Sequence, residues 1–197
     1  LGVLDIACGN MRFERYLASS LPSMKLEAAC IDSCDEMAIV HEGCAFCHMD
    51  IVEQLLKPSS LSTTWGTNFD LVVSFGFFHH VPSAKLRMRL LEELIDSARP
   101  KGLIAISLWR FATDAKMLAK ACRTTEEALE MLPMPLELEE GDYLLGWNDV
   151  PGAFRYCHSF NDSEIDSIAS TATFDANLID RFRADGRTNA LNEYLVW

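Results

Sequence analysis

The chain has no run approaching eighteen apolar residues, and no charged-then-apolar leader is visible. The expectation is therefore a cytosolic protein without a membrane partner. Positive charge is also scarce. Seventeen Lys and Arg stand against 29 Asp and Glu, a formal net charge of −12, which opposes a large nonspecific nucleic-acid footprint. Seven cysteines, an odd number scattered through the chain, lack the pattern of a disulfide framework and suit a reducing compartment. Cys44, Cys47 and His48 do spell CxxCH, with His41 just upstream. No second ligand pair follows at zinc spacing, however, and haem attachment of this type needs export, so no metal is expected.

The 197 residues, 49% hydrophobic and 23% charged, suffice for one domain spanning 1–197 with a full α/β sheet. Leu1, Val3, Leu4 and Ile6 form a short apolar run of the buried parallel-strand type, with Asp5 near its end. Ala7, Cys8, Gly9 and Asn10 then allow a sharp turn, and Met11 to Leu17 carry apolar residues at helical spacing. Strand, tight turn and helix place backbone N–H groups at the carboxyl end of a parallel strand, where a cofactor is expected. Lys25 to Ile31 reads as a second strand ending at Asp32, an acid positioned to accept ribose hydroxyls. Asp32, Ser33 and Asp35 also suit capping of a helix over Glu36 to His41.

Ala45 to Met49 reads as a third strand, followed by Asp50 and Ile51, and Lys57 to Asn68 as a surface loop. Phe69 to Phe75 is a strong central strand whose end, Ser74 and Phe75, leads through His79 and His80 into a helix over Ser83 to Ala98. A turn at Arg99 to Gly102 precedes a fifth strand, Leu103 to Trp109, and Asp114 to Met131 reads helical. Residues 124–150 form an acidic insertion, with seven acids and no base between Glu126 and Asp142, expected as a solvated face. A helix over Asp162 to Ser170 and two strands, Ala176 to Arg183 and Asn192 to Trp197, close the chain.

The stretch LDIACGNMR resembles the first motif of class I S-adenosylmethionine (SAM) dependent methyltransferases, an acid followed by GxGxG. Ala7 and Met11 stand for the first and third glycines, and Gly9 is kept. FDLVVSF followed by HH resembles the fourth motif, and ARPKGLIAIS the RPGG-type turn with its fifth strand. The resemblance implies an α/β, Rossmann-like class I methyltransferase fold. Its seven-stranded sheet would be mostly parallel, with an antiparallel C-terminal strand and helices on both faces. It also implies an N-terminal helix over the cofactor, missing ahead of Leu1. SAM would meet Asp5, Ala7, Cys8, Gly9, Asn10, Asp32 and Ser33. Asp50 would receive the adenine amino group beside the Ile51 N–H, and Ser74 and Phe75 would line the mouth.

In the C-terminal third, DYLLGW, RYCHSF and NEYLVW resemble in order the family that methylates the carboxymethyl group on wobble uridine of tRNA. Cys157 departs from a tyrosine, and Tyr194 stands where the closing tryptophan of that family would be expected. That resemblance implies Arg155, Tyr156 and His158 on the substrate side, and for an amine or phenol acceptor of a small-molecule O- or N-methyltransferase His158 or His79 would take the proton. The methyl acceptor is then tRNA, with a basic partner protein supplying phosphate contacts, or a small carboxylic acid. A non-catalytic scaffold is a third reading, permitted by the two lost glycines. Strict alternation would put Phe154, Tyr156, His158 and Phe160 on one side and Arg155 and Cys157 on the other. Pro151 and Gly152 relax that register, so an irregular loop in which Arg155 and His158 converge is expected.

Overall fold

Apolar runs too short for helices become seven strands of one sheet in the computed structural model, which describes residues 1–134, 136–147, 150–171 and 176–197. Strands β1 (Gly2–Ile6), β2 (Glu27–Asp32), β3 (Cys44–His48), β4 (Phe69–Ser74) and β5 (Ala98–Trp109) are parallel. Two antiparallel strands, β8 (Asp180–Ala184) and β9 (Asn192–Val196), complete the order β3-β2-β1-β4-β5-β9-β8. The chain leaves β1 in one direction toward β2 and returns on its other side as β4. This reversal opens a crevice at the carboxyl ends of both strands.

Alternation along β1 supplies both faces of the sheet. Val3 points with Cys30 toward Met11 and Leu17 of the first helical segment, α1 (Arg12–Ser20). Leu4 and Ile6 point with Ile31 and Val72 toward α4 (Ala84–Ser97) and α6 (Asp162–Thr171), where Leu90, Leu94, Ile165 and Ile168 meet them. Two short helices, α2 (Ile51–Leu55) and α3 (Ser62–Trp65), cover the β3 side of that face. Beyond β5, α5 (Ala115–Met131) carries a separate antiparallel hairpin of β6 (Asp142–Gly146) and β7 (Phe154–His158).

Several local expectations are corrected. The helix expected over Glu36 to His41 is a single 3₁₀ turn, Asp35–Met37, and Ile39 and Val40 beyond it are more than half exposed. The expected surface loop 57–68 contains α3, with Leu61 and Trp65 buried and the Trp65 indole donating to Ser97 Oγ at 2.8 Å. The turn at Arg99 to Gly102 is a bulge within β5 rather than a separate connection. The acidic stretch is not simply a solvated face, because Asp142 to Gly146 pairs as β6 and Leu144 is buried. The segment around Arg155 is a regular strand, with Leu144 opposite Tyr156 and Leu145 opposite Arg155. Ladder hydrogen bonds thus enforce the alternation that Pro151 and Gly152 were expected to relax. The expected strand over 176–183 begins at Asp180, and residues 172–175 just before it lie outside the described residues.

Candidate functional site

At the end of β1 the backbone turns through three left-handed residues, Ala7 (φ 64°), Gly9 (φ 53°) and Met11 (φ 57°). For Ala7 and Met11 this conformation costs about 1 to 2 kcal/mol each, so the turn keeps a glycine-like path where two glycines are absent. Local hydrogen bonds hold it there. The Ala7 and Cys8 amides donate to the Ile31 carbonyl at 2.8 and 3.0 Å. Asp32 accepts from the Gly9 amide at 2.9 Å and, through its other oxygen, from the Cys34 amide at 3.0 Å. A carboxylate has about four acceptor positions, so capacity remains for a ligand hydroxyl.

This turn forms one wall of an open cavity of about 640 Å³. Asp5, Ala7, Cys8, Gly9 and Asn10 line it as expected, and so does Phe75. Phe13 meets Phe75 edge-on at 5.1 Å, and Tyr194 sits 5.9 Å from Phe75. Arg12, Phe13, Tyr16, Met37 and Tyr194 also line the cavity and were not anticipated. The signal for the first three was their place on the turn-facing start of α1. Tyr194 arrives from the far end of the chain, and nothing local announces it.

The remaining expected cofactor residues lie off this wall. Ser33 is exposed. Asp50 caps α2, accepting from the Glu53 amide at 2.9 Å, and the Ile51 side chain is core. Ser74 is fully buried, its hydroxyl without a partner among the described residues. Beneath the turn, Asp5 is 3% exposed and Glu14 fully buried. Burial raises the Asp5 carboxyl well above its usual range, and the hydrogen bond and charge of Glu14 add to this. Neither Glu14 oxygen has an N–H or hydroxyl donor among the described residues, so the proton held by Asp5 is what the pair can share.

A second constellation lies across the β5 end, between the turn Phe78–His80 and the hairpin. The Arg155 guanidinium stacks 4.5 Å over the Trp147 ring, and its Nε is buried without a partner among the described residues. Arg155 faces a small cavity of about 160 Å³ that it shares with Trp109, Phe111 and Lys120. His79 packs 4.8 Å from Trp109 and 4.1 Å from His80. Burial lowers the His79 pKa well below the usual imidazole value, and the charges of His80 and Arg155 act the same way.

Tyr156 and His158 point to the other side of β7. His158 is fully buried, its two nitrogens 2.7 Å from Asp142 and 2.8 Å from Glu164. Burial disfavours its charged form, but these two hydrogen bonds outweigh it and hold its pKa above the ordinary value. The Tyr156 hydroxyl donates to Asp142 at 2.6 Å and receives a bond from Arg87 at 3.3 Å. These groups fasten the hairpin to α4 and α6, and the expected convergence of His158 with Arg155 does not occur.

A mostly parallel sheet with β1 and β4 at its reversal, a ligand cradle on the first turn and a closing antiparallel pair define a class I methyltransferase fold. Residues 4–106, more than half of the chain, match the family model described as "Methyltransferase domain". The chain belongs to that family and is a SAM-dependent methyltransferase domain. No match is found among the curated proteins.

Among solved structures the chain is similar to a SAM-dependent methyltransferase from Methanosarcina mazei. The TM-score is 0.66 at 16% identity, covering 99% of this chain and 90% of that one. It is also similar to the 1,6-didemethyltoxoflavin-N1-methyltransferase of Burkholderia thailandensis, solved with its substrate and S-adenosylhomocysteine. There the TM-score is 0.58 at 15% identity, over 99% and 69% of the two chains. The magnesium protoporphyrin IX methyltransferase of Synechocystis gives a TM-score of 0.57 at 12% identity, over 98% and 72%. At these identities the likeness is one of fold. No helix among the described residues is long and apolar enough to cross a membrane.

Proposed function

We propose that the cavity beside Asp5 to Asn10 holds SAM and that Arg155 presents a carboxylate acceptor to it. The left-handed turn supports the first part, since it is kept at Ala7 and Met11 against its steric cost beside an open cavity of ligand size. In this reading Asp32 meets the ribose, and Asp5 with the amides of the turn meets the amino-acid portion. Ser33, Asp50, Ile51 and Ser74 shape the surroundings. The cofactor supplies an electrophilic methyl group.

The observation that carries the acceptor class is Arg155. It is partly buried and stacked on Trp147, and among the described residues no carboxylate pairs with it. A cation held this way suits an anion from outside. A carboxylate is already nucleophilic at neutral pH, so the protein's task is alignment rather than proton removal. His79, kept neutral, would accept a proton only for an amine or phenol acceptor.

The carboxymethyl group of wobble uridine is the particular acceptor favoured by the order of motifs in the C-terminal third. Charge placement supports it. Lys116, Lys120 and Arg187 line an exposed groove of about 590 Å³ that adjoins the Arg155 cavity through Met117 and Lys120. Among the described residues none of the three makes an ion pair, although Asp114 lines the same groove, so they can meet phosphates, with a basic partner protein adding to them. The net charge of −12 favours a second reading, a small carboxylic acid. In both cases Arg155→Ala should lower kcat/KM for a carboxylate acceptor by about 30- to 150-fold, the worth of a charge-assisted pair. SAM affinity should stay unchanged. An undiminished kcat/KM would remove Arg155 from the acceptor site.

A further inference from the structure

A carboxylate acceptor leaves three metal-ligating side chains without a task. His79 and His80 follow β4, Cys157 lies on β7, and one ligating atom from each falls within 4.8 Å of the others. We propose that His79, His80 and Cys157 bind one Zn²⁺ that fastens the Phe78–His80 turn to the hairpin.

Four observations carry the assignment. His79 is 7% exposed, and its Nδ1 is buried without a partner among the described residues. Such an atom needs an explanation, because burying it unsatisfied costs free energy that a bond to a ligand would recover. Cys157 is fully buried, and the contact recorded for its sulfur is a long one, 3.7 Å to His80 Nδ1. His80 Nδ1 lies 3.0 Å from the Tyr156 carbonyl. The 3.7 Å contact with the sulfur is made by this same Nδ1, so with its proton given to the carbonyl His80 would ligate through Nε2 once its ring turns. The ligating atoms of the three side chains also lie within 4.8 Å of one another, close enough to share one ion.

Two nitrogens and one thiolate, with a fourth position left open, fit tetrahedral zinc. Bonds of about 2.0 Å to nitrogen and about 2.3 Å to sulfur put ligand atoms about 3.5 Å apart. The widest pair here must therefore close by about 1 Å, which small side-chain rotations supply. Arg155 opposes the bare dication but also lowers the thiol pKa that burial pushes up to about 11. On binding, the Cys157 thiol loses its proton to solvent, and the resulting thiolate cancels one of the two charges. Sequence spacing could not announce this site, since His80 and Cys157 stand 77 residues apart.

The test is metal analysis and zinc titration of the full chain against a chromophoric chelator, with Co²⁺ substitution as a spectroscopic probe. The wild type should bind about one zinc per chain and show thiolate-to-cobalt charge transfer. Zinc should raise its Tm by binding the native state. Cys157→Ser should lose the charge-transfer band and the Tm shift, and both it and His80→Gln should bind zinc at least ~100-fold more weakly. Cys47→Ser, which alters the exposed CxxCH stretch, should change nothing. Circular dichroism checks folding; if Cys157→Ser is unfolded, the wild-type cobalt spectrum with His80→Gln decides. Zinc below about one-tenth per chain, binding that survives both ligand substitutions, or loss in Cys47→Ser would each overturn the proposal.

Discussion

Ala7 and Met11 occupy equivalent backbone conformations but carry opposite consequences. At Ala7, partly exposed, the left-handed φ is a net cost, and Ala7→Gly should leave stability unchanged or raise it by up to about 1 kcal/mol. Met11 is fully buried against Val3, Cys8 and Cys30. Met11→Gly should destabilise by about 2 to 4 kcal/mol, because the cavity outweighs the relieved strain. Urea unfolding of the two variants measures both; equal effects would show that backbone strain does not govern the turn. Glu14 makes a complementary case. Glu14→Leu removes a buried carboxyl that, among the described residues, only a proton shared with Asp5 can satisfy, and should stabilise by about 1 to 3 kcal/mol. Asp5, whose folded pKa is raised, contributes stability that is complete below its ordinary value near 4 and is lost as pH rises through the folded value. Because burial, the larger cause of the Asp5 shift, remains, the variant should lessen that fall in stability above about pH 4 only in part, as urea midpoints across the range would show. Of this region, the turn and Asp32 were legible in the sequence as strand, small residues and distal acid. The Asp5 and Glu14 pairing was not, because a glutamate at a helical position reads as solvated.

At the scale of elements, the strands were readable because each is an apolar run closed by an acid or a turn residue. The β6–β7 hairpin was hidden, since its first strand lies at the end of an acidic run whose charges suggested solvent. One of those acids, Asp142, is instead a hydrogen-bond partner of His158 and Tyr156. The same residue explains why the catalytic reading of His158 lost its geometry: both imidazole nitrogens are taken by carboxylates. Linkage gives this network a pH signature. His158, raised, contributes stability present in full below about 6.5 and lost as pH climbs through its folded value. For Asp142 and Glu164, burial is outweighed by hydrogen bonds, from His158 above all, so their pKa values are lowered. Their contribution is present above about 4.5 and lost as pH falls through the folded values. The hairpin should therefore be best protected between roughly pH 4.5 and 6.5. His158→Gln should cost about 3 kcal/mol, the scale for breaking a buried ion pair. Hydrogen exchange of the β6 and β7 amides across pH reads both effects; a pH-independent profile in the wild type would contradict them.

At the scale of the whole molecule, the negative balance conceals an uneven distribution of cations. Arg110, Arg181 and Arg183 converge on the buried Glu193, and Arg87, Arg89, Arg99 and Arg123 are likewise paired with carboxylates. Arg12 lines the cradle, while Lys116, Lys120, Arg155 and Arg187 lie around the two cavities beside α5. Net charge read from composition could not show that four of the cations without an ion pair among the described residues lie around these two cavities. If tRNA is the acceptor, three phosphate contacts there give log affinity a slope of about −2 against log salt. Replacing Lys116 and Arg187 with alanine should remove about two-thirds of that slope and spare transfer to small acids. Activity on small acids alone, insensitive to salt, would exclude tRNA. The central claim, that the turn from Asp5 to Asn10 with Asp32 forms the cofactor site, is tested most directly by calorimetric titration of the wild type and Asp32→Ala with SAM. The account predicts one SAM per chain for the wild type, and affinity at least ~10-fold weaker once Asp32 no longer holds the Gly9 amide and offers an acceptor to the ribose. Equal affinities, or no binding by the wild type, would contradict it.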